Sequence, residues 1–473
     1  MNRERSPGMK LFMAGVIAVV LIVPLLMVYA LVYDRETQSQ AAQQQITQGW
    51  GGPQTFTGPV LVIPFMAETV ETEVVDGVNR ERRRQVRREL FVSPLTQSIE
   101  TSLAPDRKGY AIYESVVFSG ALGGTATYQL NSELDRLDVQ REALLFDEAE
   151  LRFGVSDTRG LSDSVSVVAG GEALELSPGN GPLATGGNGF SAPVTAWTGE
   201  APLEVRWSYG LRGTRSLSLI PRGGDTEWSV TSTWPHPSFT GNFLPEPTLT
   251  ETGAEGFTAV YPGITNLALG QGLLTLSDLT VSAHAPVTSS YPVDSSSTVE
   301  TSGGQAVTIG LVDPVDLYSQ VDRAVKYGFL FIGFTFAALL MFDIVGGARV
   351  ASAEYLLTGA GLVLFFVMLL AFAEVWGFVL AYVTASASII GLLTAYNAAV
   401  LGSWKRASFI GGMLAALYGV LYVLLNEETY SLVIGSLLLF GALAGIMFAT
   451  RRVDWAGIGR GEEPETDHSG IPA

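Results

Sequence analysis

The chain has 473 residues, 47% of them hydrophobic, a mean hydropathy of +0.30, a net charge of −18 and no cysteine. Without cysteine there is no disulfide, no thiol nucleophile, no iron–sulfur cluster and no thiolate zinc site. The acidic balance argues against nucleic acid, whose phosphates require Lys and Arg. Most of the charge lies in the middle of the chain, where Asp34 to Lys326 carry 35 Asp/Glu against 19 Lys/Arg, a solvated surface.

In chain order, the polar residues 1–10 precede an apolar run over 11–33. A bilayer core about 30 Å thick needs roughly 20 apolar residues per helical span. Val28-Tyr29-Ala30 resembles a signal-peptidase site, but the apolar run is longer than a signal peptide's core, so an uncleaved anchor helix is expected. Gln38 to Gln48 is Gln/Ala-rich and continues that helix beyond the bilayer.

From about 34 to 325 the pattern is polar, Gly-rich and strand-like. Val60–Ile63, Leu90–Val92, Tyr110–Phe118, Leu203–Leu211, Glu227–Thr233 and Ala306–Leu311 read as short strands with turn residues between them. The expectation is a large antiparallel β-rich, sandwich-like domain. Pro178 to Asn188 reads as a flexible Gly-rich loop and not as a phosphate cradle, because no strand-then-helix context surrounds it. Arg82, Arg83, Arg84, Arg87 and Arg88 form a dense basic cluster. They read either as a charged sheet edge that discourages pairing between molecules or as a contact for anionic lipid, lipopolysaccharide or a partner protein.

Residues 326–452 divide at their charges into five further apolar spans, about 326–345, 354–373, 376–400, 408–425 and 430–449, before a polar tail over 453–473. With Arg3, Arg5 and Lys10 inside, six spans place Arg349, Lys405-Arg406 and Arg451-Arg452 inside as well, as the positive-inside rule favours. Both termini are then cytoplasmic and the large domain, inserted between helices 1 and 2, is periplasmic in a Gram-negative inner membrane. Asn397 is the most interior polar group of the bundle, read as interhelical glue or as part of a transport site.

Catalytic patterns are missing. Three scattered histidines make no metal site, no G-x-S-x-G elbow occurs, and no Ser stands three residues before any of the four lysines. No catalytic, cofactor or metal residue is assigned, and a non-enzymatic role is expected.

Several long motifs occur together: Gly58 to Pro64 (GPVLVIP), Leu151 to Gly160 (LRFGVSDTRG), Arg215 to Pro221 (RSLSLIP) and Trp234 to Phe239 (WPHPSF). Pro314 to Tyr318, Arg323 to Gly328, Leu417 to Asn426 and Thr450 to Trp455 follow in order. Together they resemble the CreD family of bacterial inner-membrane proteins over about residues 10–456. The resemblance implies a role in cell-envelope integrity and envelope-stress tolerance, and it supplies no catalytic residues. The periplasmic β domain would bind an envelope component (membrane lipid, lipopolysaccharide, peptidoglycan or another envelope protein). The alternative is a transporter-class protein that passes a lipid or amphiphile through the β domain and the bundle. The segment from Pro314 to Gly328, with Asp316, Arg323 and Lys326, reads as the joint between domain and membrane.

Overall fold

The computed structural model describes residues 7–75, 78–110, 113–130, 133–162, 164–278, 305–311, 317–344, 350–426 and 431–451. Asp316, the polar tail and residues 1–6 lie outside the described residues. The chain divides into two units, Ala41–Pro314 and a second made of Met1–Gln40 with Val315–Ala473.

Among the described residues the first unit is a β domain of seventeen strands. These are β1 (Gln54–Val75), β2 (Val78–Val92), β3 (Thr96–Tyr110), β4 (Tyr113–Tyr128), β5 (Glu150–Val155), β6 (Ser166–Ala169), β7 (Glu172–Ala173), β8 (Ser177–Pro178) and β9 (Gly189–Pro193). Then follow β10 (Leu203–Thr214), β11 (Ser216–Ile220), β12 (Asp225–Ser232), β13 (Pro237–Gly241), β14 (Glu251–Gly253), β15 (Gly256–Thr265), β16 (Leu274–Thr275) and β17 (Val307–Leu311). Two single-turn helices, α2 (Glu133–Arg136) and α3 (Asn266–Leu269), interrupt them.

One sheet runs β13-β17-β11-β1-β5-β9-β8, with β2 paired to the far half of β1 and β16 to β2. The other runs β14-β15-β12-β3-β4-β10-β6-β7. The sheets are mixed, not purely antiparallel as expected: β1 pairs parallel with β11, and β3 with β12. Hairpins enforce antiparallel pairing only between consecutive strands. These two pairs join strands distant in sequence, so no hairpin fixes their direction. The expected strand Tyr110–Phe118 is also corrected, because it straddles the hairpin from β3 to β4.

A single hydrophobic core lies between the two sheets. Phe56, Leu61, Ile63 and Phe153 from the first meet Ile99, Leu103, Trp207 and Trp228 from the second. Phe56 meets Trp228 edge-on at 5.8 Å, and Phe153 meets Trp207 at 6.2 Å. Strand β10 alternates buried and exposed residues along most of its length, the two-residue period of a sheet covered on one face. The GPVLVIP motif is explained by the same packing. A Cβ on Gly58 would lie 2.0 Å from the Gln97 amide nitrogen, and the β1–β5 register shifts between Thr57 and Val60. Pro59 occupies that irregularity, where no ladder hydrogen bond is lost, and its carbonyl accepts the Tyr128 hydroxyl at 2.5 Å.

The second unit is helical. Helix α1 (Pro7–Trp50) contributes its residues through Gln40 to this unit. At 1.5 Å per residue it is about 66 Å long, roughly twice a bilayer core. The others are α4 (Leu317–Lys326), α5 (Gly328–Ile344), α6 (Ser352–Trp376), α7 (Phe378–Val400), α8 (Trp404–Asn426) and α9 (Ser431–Thr450). Among the described residues, five helical stretches are long and apolar enough to cross a membrane: α1, α4 with α5, α6, α7 and α8. On α1 the buried residues Ala14, Ile17, Leu21, Val28, Val32, Ser39 and Ala42 form a stripe, the spacing of one helix face. The bundle centre is aromatic. Tyr418 of α8 lies 4.7 Å from Phe331 and 4.5 Å from Phe365, and its carbonyl accepts the Tyr382 hydroxyl at 2.6 Å. Glycines set the close approaches: a Cβ on Gly359 would lie 2.0 Å from Leu21, and one on Gly361 2.9 Å from Leu393.

Candidate functional site

In the β domain, side chains on β1 and β2 alternate between two faces. Leu61, Ile63 and Leu90 point into the core, so Val60, Val62 and Phe91 point away from it and form a small separate cluster. On that outer face a cleft of about 850 Å³ is lined by Arg87, Arg88, Glu89, Phe91, Arg152, Asn180, Leu183, Leu276 and Asp278 among others.

Charge in the cleft is organised in layers. Arg152, on β5 beside Val60, is nearly buried and bridges Glu89 at 2.6 Å and Glu150 at 2.7 Å. Its guanidinium sits 5.9 Å from the Phe91 ring centre, a cation–π distance. Burial works against its charge, but its two carboxylate partners outweigh that and raise it above its ordinary value. Asn180 donates to Glu150 at 2.5 Å. Arg87 is mostly exposed and pairs with the exposed Glu148 at 2.6 Å, a contact that water screens strongly.

Behind the cleft lies a buried ion pair between Arg222 and Asp278. Burial pulls the Arg222 guanidinium below its ordinary value, and the Asp278 carboxylate opposes that pull. The Arg222 Nε and Nη1 have no hydrogen-bond partner among the described residues. Asp278 also accepts the Leu183 backbone N–H at 2.6 Å. The Gly-rich segment after β8 is therefore a built turn and not the flexible loop expected: Gly181 N–H donates to the Gly187 carbonyl and Gly187 N–H to the Pro182 carbonyl. Gly186 and Gly187 carry φ of +68° and +79°, which explains the glycines.

Of the basic residues singled out from the sequence, Arg87 and Arg88 border this cleft. Arg83 instead faces Glu68 at 3.8 Å, Arg84 is exposed on β2, and the Arg82 side chain lies outside the described ones. In the strand register Arg80 and Arg82 lie across from Glu73 and Glu71 of β1. Sequence reasoning missed Arg152, Arg222 and Asp278. The first lies in the LRFGVSDTRG motif and the second one residue past RSLSLIP; Asp278 carried no signal.

The rest of LRFGVSDTRG is a clasp. Asp157 accepts the Gly52 N–H at 3.1 Å and pairs with Arg159 at 2.7 Å. Hydrogen bonds from Arg159 hold its carboxyl down at about 2, against partial burial, which raises it; the Gly52 N–H helps lower it. Because this value lies below the unfolded 3.8, the clasp stabilises fully above about pH 4 and is lost as pH falls toward 2. Asp157→Asn is expected to cost about 1 kcal/mol at neutral pH, allowing for the exposed Arg159. It also flattens the acid limb of stability between pH 4 and 2, read by urea unfolding across pH.

In the helical unit, Lys326 pairs with Asp322 at 2.7 Å and Arg323 is half-buried on α4. Glu374 of α6 accepts the Tyr318 hydroxyl at 3.3 Å and lies 3.9 Å from Arg35 of α1. Asn397 is fully buried; its amide nitrogen donates to the Leu393 carbonyl at 2.7 Å, and its Oδ1 has no partner among the described residues. Among the described residues no cluster of metal-ligating side chains occurs.

The model of the family described as Inner membrane protein CreD matches residues 6–456. The chain is also 29% identical over 439 residues to the Inner membrane protein CreD of Escherichia coli (strain K12), covering 92% of this chain and 90% of that protein. With a bundle of apolar helices and a large mixed-sheet domain, the chain belongs to the CreD family of inner membrane proteins.

Proposed function

We propose that this protein serves cell-envelope integrity and stress tolerance without catalysing a reaction, and that its β domain binds an anionic envelope amphiphile in the Arg87–Arg152 cleft. The domain would face the periplasm and both termini the cytoplasm, with six spans, because this arrangement puts every short basic loop inside. The observation that carries the binding reading is the cleft itself. It sets guanidinium groups beside Phe91, Leu183 and Leu276, so an anionic headgroup meets Arg while its chain meets apolar surface. Arg87 is the exchangeable partner. Its bond to Glu148 is exposed on both sides, so a phosphate or carboxylate can replace Glu148 at small cost.

The test uses full-length protein in nanodiscs of zwitterionic lipid, titrated with short-chain phosphatidylglycerol and followed by native mass spectrometry. Arg87→Glu is expected to weaken binding tenfold or more, about the loss of one charge-assisted contact, while melting of the β domain stays unchanged. Equal binding by the variant, or equal binding of short-chain phosphatidylcholine, contradicts the cleft reading.

A further inference from the structure

The ion pair behind the cleft leaves part of its cation unused. Arg222 is 1% exposed, and its Nη2 donates to Asp278 Oδ1. Its Nε and Nη1 have no hydrogen-bond partner among the described residues. Buried donors in native proteins are ordinarily satisfied, and a bare donor on a charged group is costlier than one on a neutral group. Nη2 shares one edge of the planar guanidinium with Nε and the other with Nη1. A partner in the place of Asp278 with one more oxygen can therefore engage two nitrogens side by side.

Asp278 occupies this position as a ligand would. Its Oδ2 accepts the Leu183 N–H at 2.6 Å, so one carboxylate bridges a guanidinium nitrogen and a backbone amide. With the bare edge of Arg222 these donors offer three positions. A carboxylate has two oxygens for them, and a terminal phosphate has three. Asp278 lines the cleft of about 850 Å³ together with Leu183 and Leu276, and it touches Arg222 on its other side. It therefore stands between the cleft and the buried cation. Leu183 and Leu276 are 54% and 38% exposed, apolar surface that suits the chain of an amphiphile beside the seat of an anion.

The geometry points to a phosphate seat held closed by the protein's own carboxylate. A terminal phosphomonoester on an apolar chain displaces Asp278 and accepts from Arg222 Nη2, from a second nitrogen of that guanidinium and from the Leu183 N–H. This inference rests on the cleft reading above and names the headgroup the cleft selects. The exchange keeps Arg222 paired: the Asp278 carboxylate turns out into water as the phosphate enters, and the guanidinium stays charged throughout. Arg87 and Arg88 line the same cleft, where their charge suits the second negative charge of a monoester. A phosphodiester has only two free oxygens, as Asp278 has, and gains nothing from the bare edge. Asp278 thus acts as a built-in competitor that rejects the weaker anion.

Full-length protein in nanodiscs of zwitterionic lipid, titrated with short-chain phosphatidic acid and short-chain phosphatidylglycerol under native mass spectrometry, tests this. Phosphatidic acid, the monoester, is expected to bind about tenfold more tightly than phosphatidylglycerol, the diester. Asp278→Asn should tighten phosphatidic acid by about a further tenfold, because the competing charge is gone while the volume is kept. Arg222→Met with Asp278→Leu should erase the preference and leave the phosphatidylglycerol binding that Arg87 carries. This double variant carries the test if Asp278→Asn fails to fold. Inorganic phosphate that displaces phosphatidic acid at equal concentration would assign the seat to a free phosphate, and failure to displace it assigns the seat to the lipid. Equal binding of the two anionic lipids, or a preference that survives in the double variant, overturns the proposal. If Arg87→Glu still weakens phosphatidylglycerol in that case, the cleft reading stands and only the phosphate seat is lost.

Discussion

Replacing Asp278 by Ala is expected to destabilise the β domain by about 3–5 kcal/mol, because it strands a guanidinium in the interior. Arg222 is almost completely buried and Asp278 is its only ion-pair partner among the described residues. Burial already works against the Arg222 charge, so without the carboxylate the guanidinium must admit water or leave its site. The Leu183 N–H loses its acceptor too, and the glycine turn that walls the cleft loses its anchor. The double variant Arg222→Met with Asp278→Leu should recover most of the loss, since apolar groups often replace a buried pair without penalty. Denaturant unfolding of the three variants checks this, and equal loss in the single and double variants counts against it.

Trp228→Ala is the second large effect, expected to cost about 3–5 kcal/mol by opening a cavity at the centre of the sandwich. Trp228 is fully buried on β12, stacks on Tyr261 at 5.3 Å and meets Phe56 of the facing sheet. Its indole N–H donates to Thr101 at 3.0 Å, so Ala also leaves a buried hydroxyl without its donor. Trp228→Phe keeps most of the volume and loses only that bond, so it should cost about 1–2 kcal/mol. Because Trp228 touches both sheets, the loss should appear as one transition of the whole domain. Two separate transitions would mean that the sheets are not one cooperative core.

The helices were legible because twenty-residue apolar runs broken by charges have few other readings. The residues 376–400 read as a span match α7 at Phe378–Val400 within two residues. Parts of the β domain were legible by alternation, as in β10, where buried and exposed residues follow each other. Strand β3 was missed because Pro105, Asp106, Arg107 and Lys108 look like a turn, yet they lie in a hairpin arm paired with Ser115 to Phe118. The parallel pairs were invisible, since nothing local in Gln54–Thr57 names Leu217–Ile220 as its neighbour.

The site was half legible. A run of arginines stands out in any sequence, so Arg87 and Arg88 were found. Their partners were not, because Arg152, Arg222 and Asp278 are isolated charges brought together only by strand register and by the glycine turn. In the bundle, Asn397 stood out as a polar residue in an apolar run.

The absence of native cysteine gives a clean background for the measurement that bears most directly on a β domain serving the envelope from outside the inner membrane. Single cysteines at Thr252 (Thr252→Cys), exposed on β14, and at Ser403 (Ser403→Cys), between α7 and α8, would be treated in cells with permeabilised outer membranes using a membrane-impermeant maleimide. The expected result is labelling at 252 and protection at 403 until the inner membrane is lysed. Protection at 252 with labelling at 403 would place the β domain in the cytoplasm and contradict the proposed role.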